Sequence, residues 1–210
     1  YDPITFEKSH AVTPYELNKL VSNEQAVEIL VSQASIYPDG RVVPVIMKGI
    51  TPQQDILNLP TDFFSKYNGY NIPVLIGRGM SNYTKLNIGD TFMIRWMDQD
   101  RTYDANQGEI IHIMDCDNFK IDMGHIWMPL PVLQTMLSTK NQSTYVVYKE
   151  NSDKIGNIGN WIKRDVHYLI RDMEAIIEQD RPNAIMIYII LLSLAAMGIF
   201  NAQTLSIFRR

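Results

Sequence analysis

The feature that most constrains this chain is the run from Ala184 to Phe208, which carries no charged residue and stops at Arg209-Arg210. A helix that crosses the hydrocarbon core of a bilayer needs about 20 predominantly apolar residues, and this run supplies them. A helix buried in a soluble core is ordinarily shorter, so the run predicts a transmembrane helix over 184–208. Lys and Arg gather on the cytoplasmic side of a span. Arg209 and Arg210 therefore place that end of the chain inside and the large preceding region outside. The chain opens at Tyr1-Asp2-Pro3, with neither Met nor an apolar leader. The expectation is a piece of a longer membrane protein, preceded by an upstream span.

The region before the run has the make-up of an ordinary folded domain. The chain of 210 residues is 46% hydrophobic and 20% charged, with a net charge of -4, and roughly 180 residues are ample for a hydrophobic core. An acidic balance without a Lys/Arg-rich stripe gives no electrostatic footprint for nucleic acid. The single cysteine, Cys116, has no partner for an internal disulfide and reads as a buried apolar side chain.

Local patterns then give an order of elements. Thr13-Pro14-Tyr15-Glu16 has the spacing of a capping box, opening a helix from Tyr15 to about Val21. Ala26 to Tyr37 is rich in β-branched residues and alternates, which predicts a strand. Pro38-Asp39-Gly40 is turn chemistry, and Arg41 to Ile50 returns as the hairpin partner. Loop or short helix follows to Gly69, then an apolar strand Ile72–Gly77, a helical turn from Arg78 to Lys85, and a strand Thr91–Trp96. A polar loop from Asp98 to Gln107 leads to a returning strand Gly108–Met114, and Asp115 to Asn118 reads as turn. Ile126–Met128 is a short strand, Pro129 to Leu137 a helix, and Thr144–Tyr148 a last strand before a Gly/Asn-rich loop over 151–160. The class is α+β, with no long linker and no internal repeat. From Trp161 to Asp180 apolar residues fall at helical spacing with charges between them, which predicts an amphipathic stalk helix. Only Pro182 interrupts its junction with the apolar run, a place for a kink.

The residues in this order carry a resemblance. Ile76-Gly77-Arg78-Gly79, Leu86-Asn87-Ile88-Gly89-Asp90, Ile110-Ile111-His112-Ile113-Met114, Ile126-Trp127-Met128-Pro129-Leu130 with Gln134 and Leu137, Trp161 ahead of the stalk, and Gly198-Ile199-Phe200-Asn201-Ala202 ahead of Phe208-Arg209-Arg210 together resemble FtsX-like ABC transporter permeases with a MacB-like periplasmic core domain. That group includes the LolC and LolE lipoprotein-releasing permeases and MacB. The resemblance covers nearly the whole chain through motifs that are individually weak and specific in their order. It implies an extracytoplasmic domain over 1–180, with 1–68 and 138–180 forming a porter-like α/β module and 69–137 a mainly β insert of the kind called sabre. The span over 184–208 follows. It also implies a bacterial inner (cytoplasmic) membrane location, a cytoplasmic ABC ATPase as partner, a second permease subunit in a homo- or heterodimer, and a periplasmic chaperone or membrane fusion protein as further partner. No cofactor is implied. The permease would couple ATP hydrolysis by that ATPase to release or export of lipoproteins or other amphiphilic cargo. The chain has no Gly-x-x-x-x-Gly-Lys-Ser/Thr phosphate loop, in line with hydrolysis in a separate subunit. The family's first span, first porter strand and last two spans have no counterpart in these residues.

Candidate site residues follow from the same reading. The loop holding Asp98, Arg101 and Tyr103 lies where LolC-type permeases carry a proline-bearing hook for a lipoprotein chaperone. It has no proline and few apolar groups, which argues against hook-type docking and favours a solvated hairpin loop. Gly198, Ala202 and Ser206 recur every four residues, a small-residue stripe suited to close helix packing. A regulatory FtsX-type permease that controls cell-wall hydrolases is the alternative within the family, although its outer domain is typically smaller. A membrane-anchored hydrolase or metal protein is the alternative outside it, built on His112, Asp115, Cys116, Asp117, Asp122 and His125. Their spacing fits no ligand pattern, and the lone His10 and His167 read as surface or stalk residues, so no catalytic, cofactor or metal site is assigned.

Overall fold

The computed structural model describes residues 10–116, 119–149, 156–165, 168, 186–201, 203–204 and 207–208. The chain divides into two compact units, Tyr1–Asp153 and Lys154–Arg210.

The first unit is a mixed α/β fold. Its elements are β1 (Ala11–Val12), α1 (Tyr15–Ser22), β2 (Ala26–Tyr37), β3 (Val43–Ile50), α2 (Asp62–Lys66), β4 (Ile72–Gly77), α3 (Arg78–Thr84), β5 (Thr91–Met97), β6 (Tyr103–Met114), α4 (Phe119–Gly124), β7 (His125–Pro129), α5 (Leu130–Met136), β8 (Gln142–Ser143) and β9 (Tyr145–Tyr148). The predicted β2–β3 hairpin forms, with Ile29 opposite Ile50 and Ile36 opposite Val43. The sheet then continues β3-β7-β4-β6-β5, and β5 returns to β2 with Ala34 opposite Trp96 and Tyr37 opposite Met93. Six strands thus close into a ring, which removes the free edges an open sheet would present. The pairs β3–β7 and β4–β6 are parallel, and the other contacts of the ring are antiparallel.

Closure gives each strand an inside and an outside, and the period of two sorts the side chains between them. Inside lie Leu30, Ile36, Val45, Met47, Val74, Ile76, Ile94, Trp96, Ile110, Ile126 and Met128, all in one buried cluster. Gly108 also faces inward, because a Cβ there would come within 2.7 Å of Ile94 Cδ1. Outside, Val27, Ile29, Val31, Ile50, Leu75, Met114 and Trp127 form a second cluster with Phe64, covered by Ile56, Leu57 and Leu59 of the loop after β3 and by Tyr145 and Val147 of β9. β4 is buried along its whole length, which explains why it reads as a continuous apolar run rather than an alternation. Both clusters draw on residues before and after position 68.

The ring is stopped at both ends by a helix. α3 follows the C-terminal end of β4 and α5 that of β7, and those strands are antiparallel, so the helices sit at opposite ends. In α5, Leu130 and Leu133 are buried, and Leu133 lies so close to Gly49 that a Cβ there would sit 3.0 Å from it. The Trp96 indole N–H donates to the Met136 carbonyl at 2.7 Å. In α3, Met80 and Thr84 are fully buried, and the Thr84 hydroxyl donates to the Met80 carbonyl at 2.7 Å.

Several local expectations change. Thr13 does not cap α1, which begins after Pro14 with no side-chain cap. Its hydroxyl is buried and hydrogen-bonds instead with the Ser143 hydroxyl at 2.7 Å, since a buried hydroxyl must be paired where it lies. β6 begins at Tyr103 rather than Gly108, so half of the predicted ten-residue loop is strand. The segment after Asn118 contains α4, where the sequence pattern gives no element.

In the second unit, Trp161 to Asp165 are not helical, so the stalk helix does not start at Trp161. Ile158 and Trp161 instead form an isolated bridge. The Asp165 carboxylate accepts the Tyr168 backbone N–H at 2.8 Å. The rest of the predicted stalk, His167 and Pro182 included, lies outside the described residues. Residues 186–201 form a helix in which every residue is exposed, among them Leu192 at 74% and Phe200 at 68%. Among the described residues no helix is long and apolar enough to cross a membrane. Ala184, Ile185, Ala202, Leu205 and Ser206 of the predicted span lie outside them.

Candidate functional site

The turn between β5 and β6 is held tightly by its own backbone. Asp98 N–H donates to the Thr102 carbonyl at 3.0 Å, Arg101 N–H donates to the Asp98 carbonyl at 3.2 Å, and the Asp98 carboxylate accepts Thr102 N–H at 2.8 Å. Arg101 takes a left-handed conformation at φ 61, a cost that the Asp98 clamp offsets. Gln99 ties the turn to the rest of the unit, its amide donating to Gln142 Oε1 at 2.8 Å and lying 3.2 Å from His10 Nε2. Tyr103 belongs to β6 rather than to the loop and is 64% exposed, with the Arg95 guanidinium 4.5 Å from its ring centroid. Of the predicted loop residues, Asp98 and Arg101 share a short stiff turn and Tyr103 stands on the adjoining sheet face.

Of the residues weighed for metal binding or catalysis, His112, Asp115 and Asp122 make structural contacts. His112 on β6 stacks on Phe63 with ring centroids 4.0 Å apart. Asp115 pairs with Arg78, and the Arg78 Nη2 donates to its carboxylate at 3.1 Å. That guanidinium holds the Asp115 carboxyl below its ordinary range. Asp122 on α4 accepts the Gly79 N–H at 2.9 Å. A Cβ on either Gly77 or Gly79 would overlap the Asp122 carboxylate. The Gly77-Arg78-Gly79 motif therefore clamps α3 to α4 through Asp122 while Arg78 reaches Asp115. Among the described residues no group of three or more His, Cys, Asp or Glu side chains is placed to hold a metal ion. Asp117 lies outside those residues, and Cys116 is half-buried.

Two polar arrangements were not legible beforehand. The Tyr67 hydroxyl and the Asn71 amide both donate to Glu109 Oε2, at 2.7 and 3.2 Å, beside a shallow depression of about 230 Å³. Burial, and then the Glu109 carboxylate, push the Tyr67 phenol up. Lys48 is buried on the outer side of β3, its Nζ 4.8 Å from the Trp127 ring centroid. Each pair joins residues far apart in sequence, so no local spacing announces it.

In the helix over 186–201 the Ser193 hydroxyl donates to the Ile190 carbonyl at 2.7 Å, and just beyond it the Thr204 hydroxyl donates to the Phe200 carbonyl at 2.8 Å. Gly198 stands on this helix with open space around the place of a Cβ, while Ala202 and Ser206 lie outside the described residues.

No family model and no curated protein matches the chain. Among solved structures, the chain is similar to the extracellular domain of the noncanonic ABC-type transporter YknZ from Gram-positive bacteria, at 16% identity over 73% of this chain and 82% of that one, with a TM-score of 0.47.

Proposed function

We propose that this chain is the extracytoplasmic domain and following membrane helix of an ABC transporter permease, with hydrolysis of ATP carried by a separate cytoplasmic ATPase. The supporting observation is the helix over 186–201, apolar on every face and exposed at every residue. Such a helix is stable only where something other than water surrounds it. The ordered motifs from Ile76 to Arg210 add the family reading. In this proposal the span runs over 184–208 in the bacterial inner membrane, and Gly198, Ala202 and Ser206 pack against a second permease subunit or another span. In this proposal residues 1–68 and 138–180 are the porter-like parts and residues 69–137 the sabre-like insert. Lipoproteins or other amphiphilic molecules are the cargo class. The turn at Asp98, Arg101 and Tyr103 is the candidate partner loop, a solvated turn rather than a chaperone hook.

The experiment is affinity purification of the intact protein from its native membrane in mild detergent, with mass spectrometry and an ATPase assay on the product. Recovery of a cassette ATPase, whose activity falls when residues 1–180 are deleted, supports the proposal. Recovery of the protein without any ATPase contradicts it.

A further inference from the structure

β9 differs from every strand of the ring. It pairs with β2 over Ala26–Ile29, with Tyr145 opposite Ile29 and Tyr148 opposite Ala26. Among the described residues it pairs with no other strand. The ring closes without it, because β5 takes the same edge of β2 further along, from Ala34 to Tyr37. Between the two partners the Thr144 hydroxyl accepts the Val31 N–H at 2.9 Å. At the far end, Lys149 N–H donates to the Gln25 carbonyl at 3.2 Å, and Lys149 Nζ reaches the Asp55 carboxylate at 3.2 Å. That ion pair is exposed at both partners and holds weakly. All four residues of β9 are only half-buried, yet Tyr145 and Val147 cover the outer cluster. β9 is also the last strand of the first unit before the chain enters the second.

We propose that β9 is a releasable strap. It detaches from β2 while the six-strand ring stays closed, baring the Ala26–Ile29 edge and the Val27 and Ile29 side chains. A short strand with one pairing partner and half-buried side chains belongs to the low-stability end of a fold. β9 is the last strand before the chain leaves the first unit. The inference rests on the pairing of the strands and holds whether or not the permease reading does.

Hydrogen exchange on the intact protein in detergent tests it. The amides of Tyr145, Val146, Val147 and Tyr148 are expected to be at least about tenfold less protected than those of Val74 to Gly77 in β4. Lys149→Ala should speed exchange in β9 and leave β4 unchanged. A disulfide between Glu28→Cys and Val146→Cys, which face each other across the two strands, should slow β9 without altering β4. Equal protection in β9 and β4 before crosslinking overturns the proposal, as does a rise in β4 exchange that accompanies the loss of β9.

Discussion

The ring and the helix over 186–201 are both built of apolar residues, yet they use them in opposite ways. In the ring, inward side chains such as Val74, Ile94 and Ile126 are completely buried, and a second layer on the outside is covered by the loop after β3 and by β9. In the helix, Met186, Leu192 and Phe200 are all more than half exposed. The first unit supplies its own apolar surroundings by closing a sheet. The second leaves that to whatever surrounds it. Composition does not separate the two cases, and period does so only in part: it is two in β2, while β4 and the stretch from Ile185 to Leu192 are both continuous apolar runs.

The contrast is broken most forcefully from inside. Leu133→Ala removes a fully buried side chain from the helix that stops the ring and is expected to cost about 2–5 kcal/mol, read from chemical unfolding of the intact protein in detergent. Leu192→Ala, on the exposed helix, should leave that unfolding unchanged. Equal losses at the two positions would erase the distinction. From the other side, Leu192→Asp should impair membrane integration by about 2.5–3.5 kcal/mol, measured as the fraction resisting alkaline extraction; full retention would speak against a span.

Alkaline pH sharpens the comparison within the first unit. Burial pushes the Tyr145 phenol from 10.0 up to about 12. Burial disfavours the ionised form, so the folded value lies above the unfolded one. Its contribution is intact below pH 10 and is lost as pH rises from 10 to about 12. The full effect is on the order of 2–3 kcal/mol, and hydrogen exchange should show β9 loosening before β4 in that window. Tyr145→Phe should remove the pH dependence; an unaltered profile would show that another group governs it. The smallest effect belongs to Arg78 and Asp115, both exposed. The Asp115 carboxyl is held low, so its pairing is present above the ordinary carboxylate range and fades as pH falls through the lowered value. Asp115→Asn should change unfolding at neutral pH by no more than a typical surface ion pair and flatten only the acid side of the stability curve.

How far the fold was legible follows from the range of the interactions. β2 and β4 were read with their observed ends, and β3 nearly so, because alternation, β-branched content and the turn at Pro38-Asp39-Gly40 are local signals. Closure of the ring was not legible, since it rests on Ala34 meeting Trp96 and Met47 meeting Ile126, pairings that no window of sequence contains. Thr13 had the spacing of a cap, and its burial against Ser143 decided otherwise. The polar stretch over 103–107 read as loop because it forms an exposed arm of strand with nothing apolar to alternate. At the candidate sites, the glycines of Ile76-Gly77-Arg78-Gly79 were noticed, but their reason, the Asp122 carboxylate packed against both, required α4.

The most direct test of a domain outside the membrane followed by a span is cysteine accessibility in native membranes. Single cysteines at Gln107→Cys on the exposed arm and Leu192→Cys at mid-helix, each in a Cys116→Ser background, are treated with a membrane-impermeant maleimide added from the outside. The account predicts labelling at position 107 and none at 192 until the membrane is dissolved and the chain unfolded. Labelling of both positions to the same extent in intact membranes would contradict it.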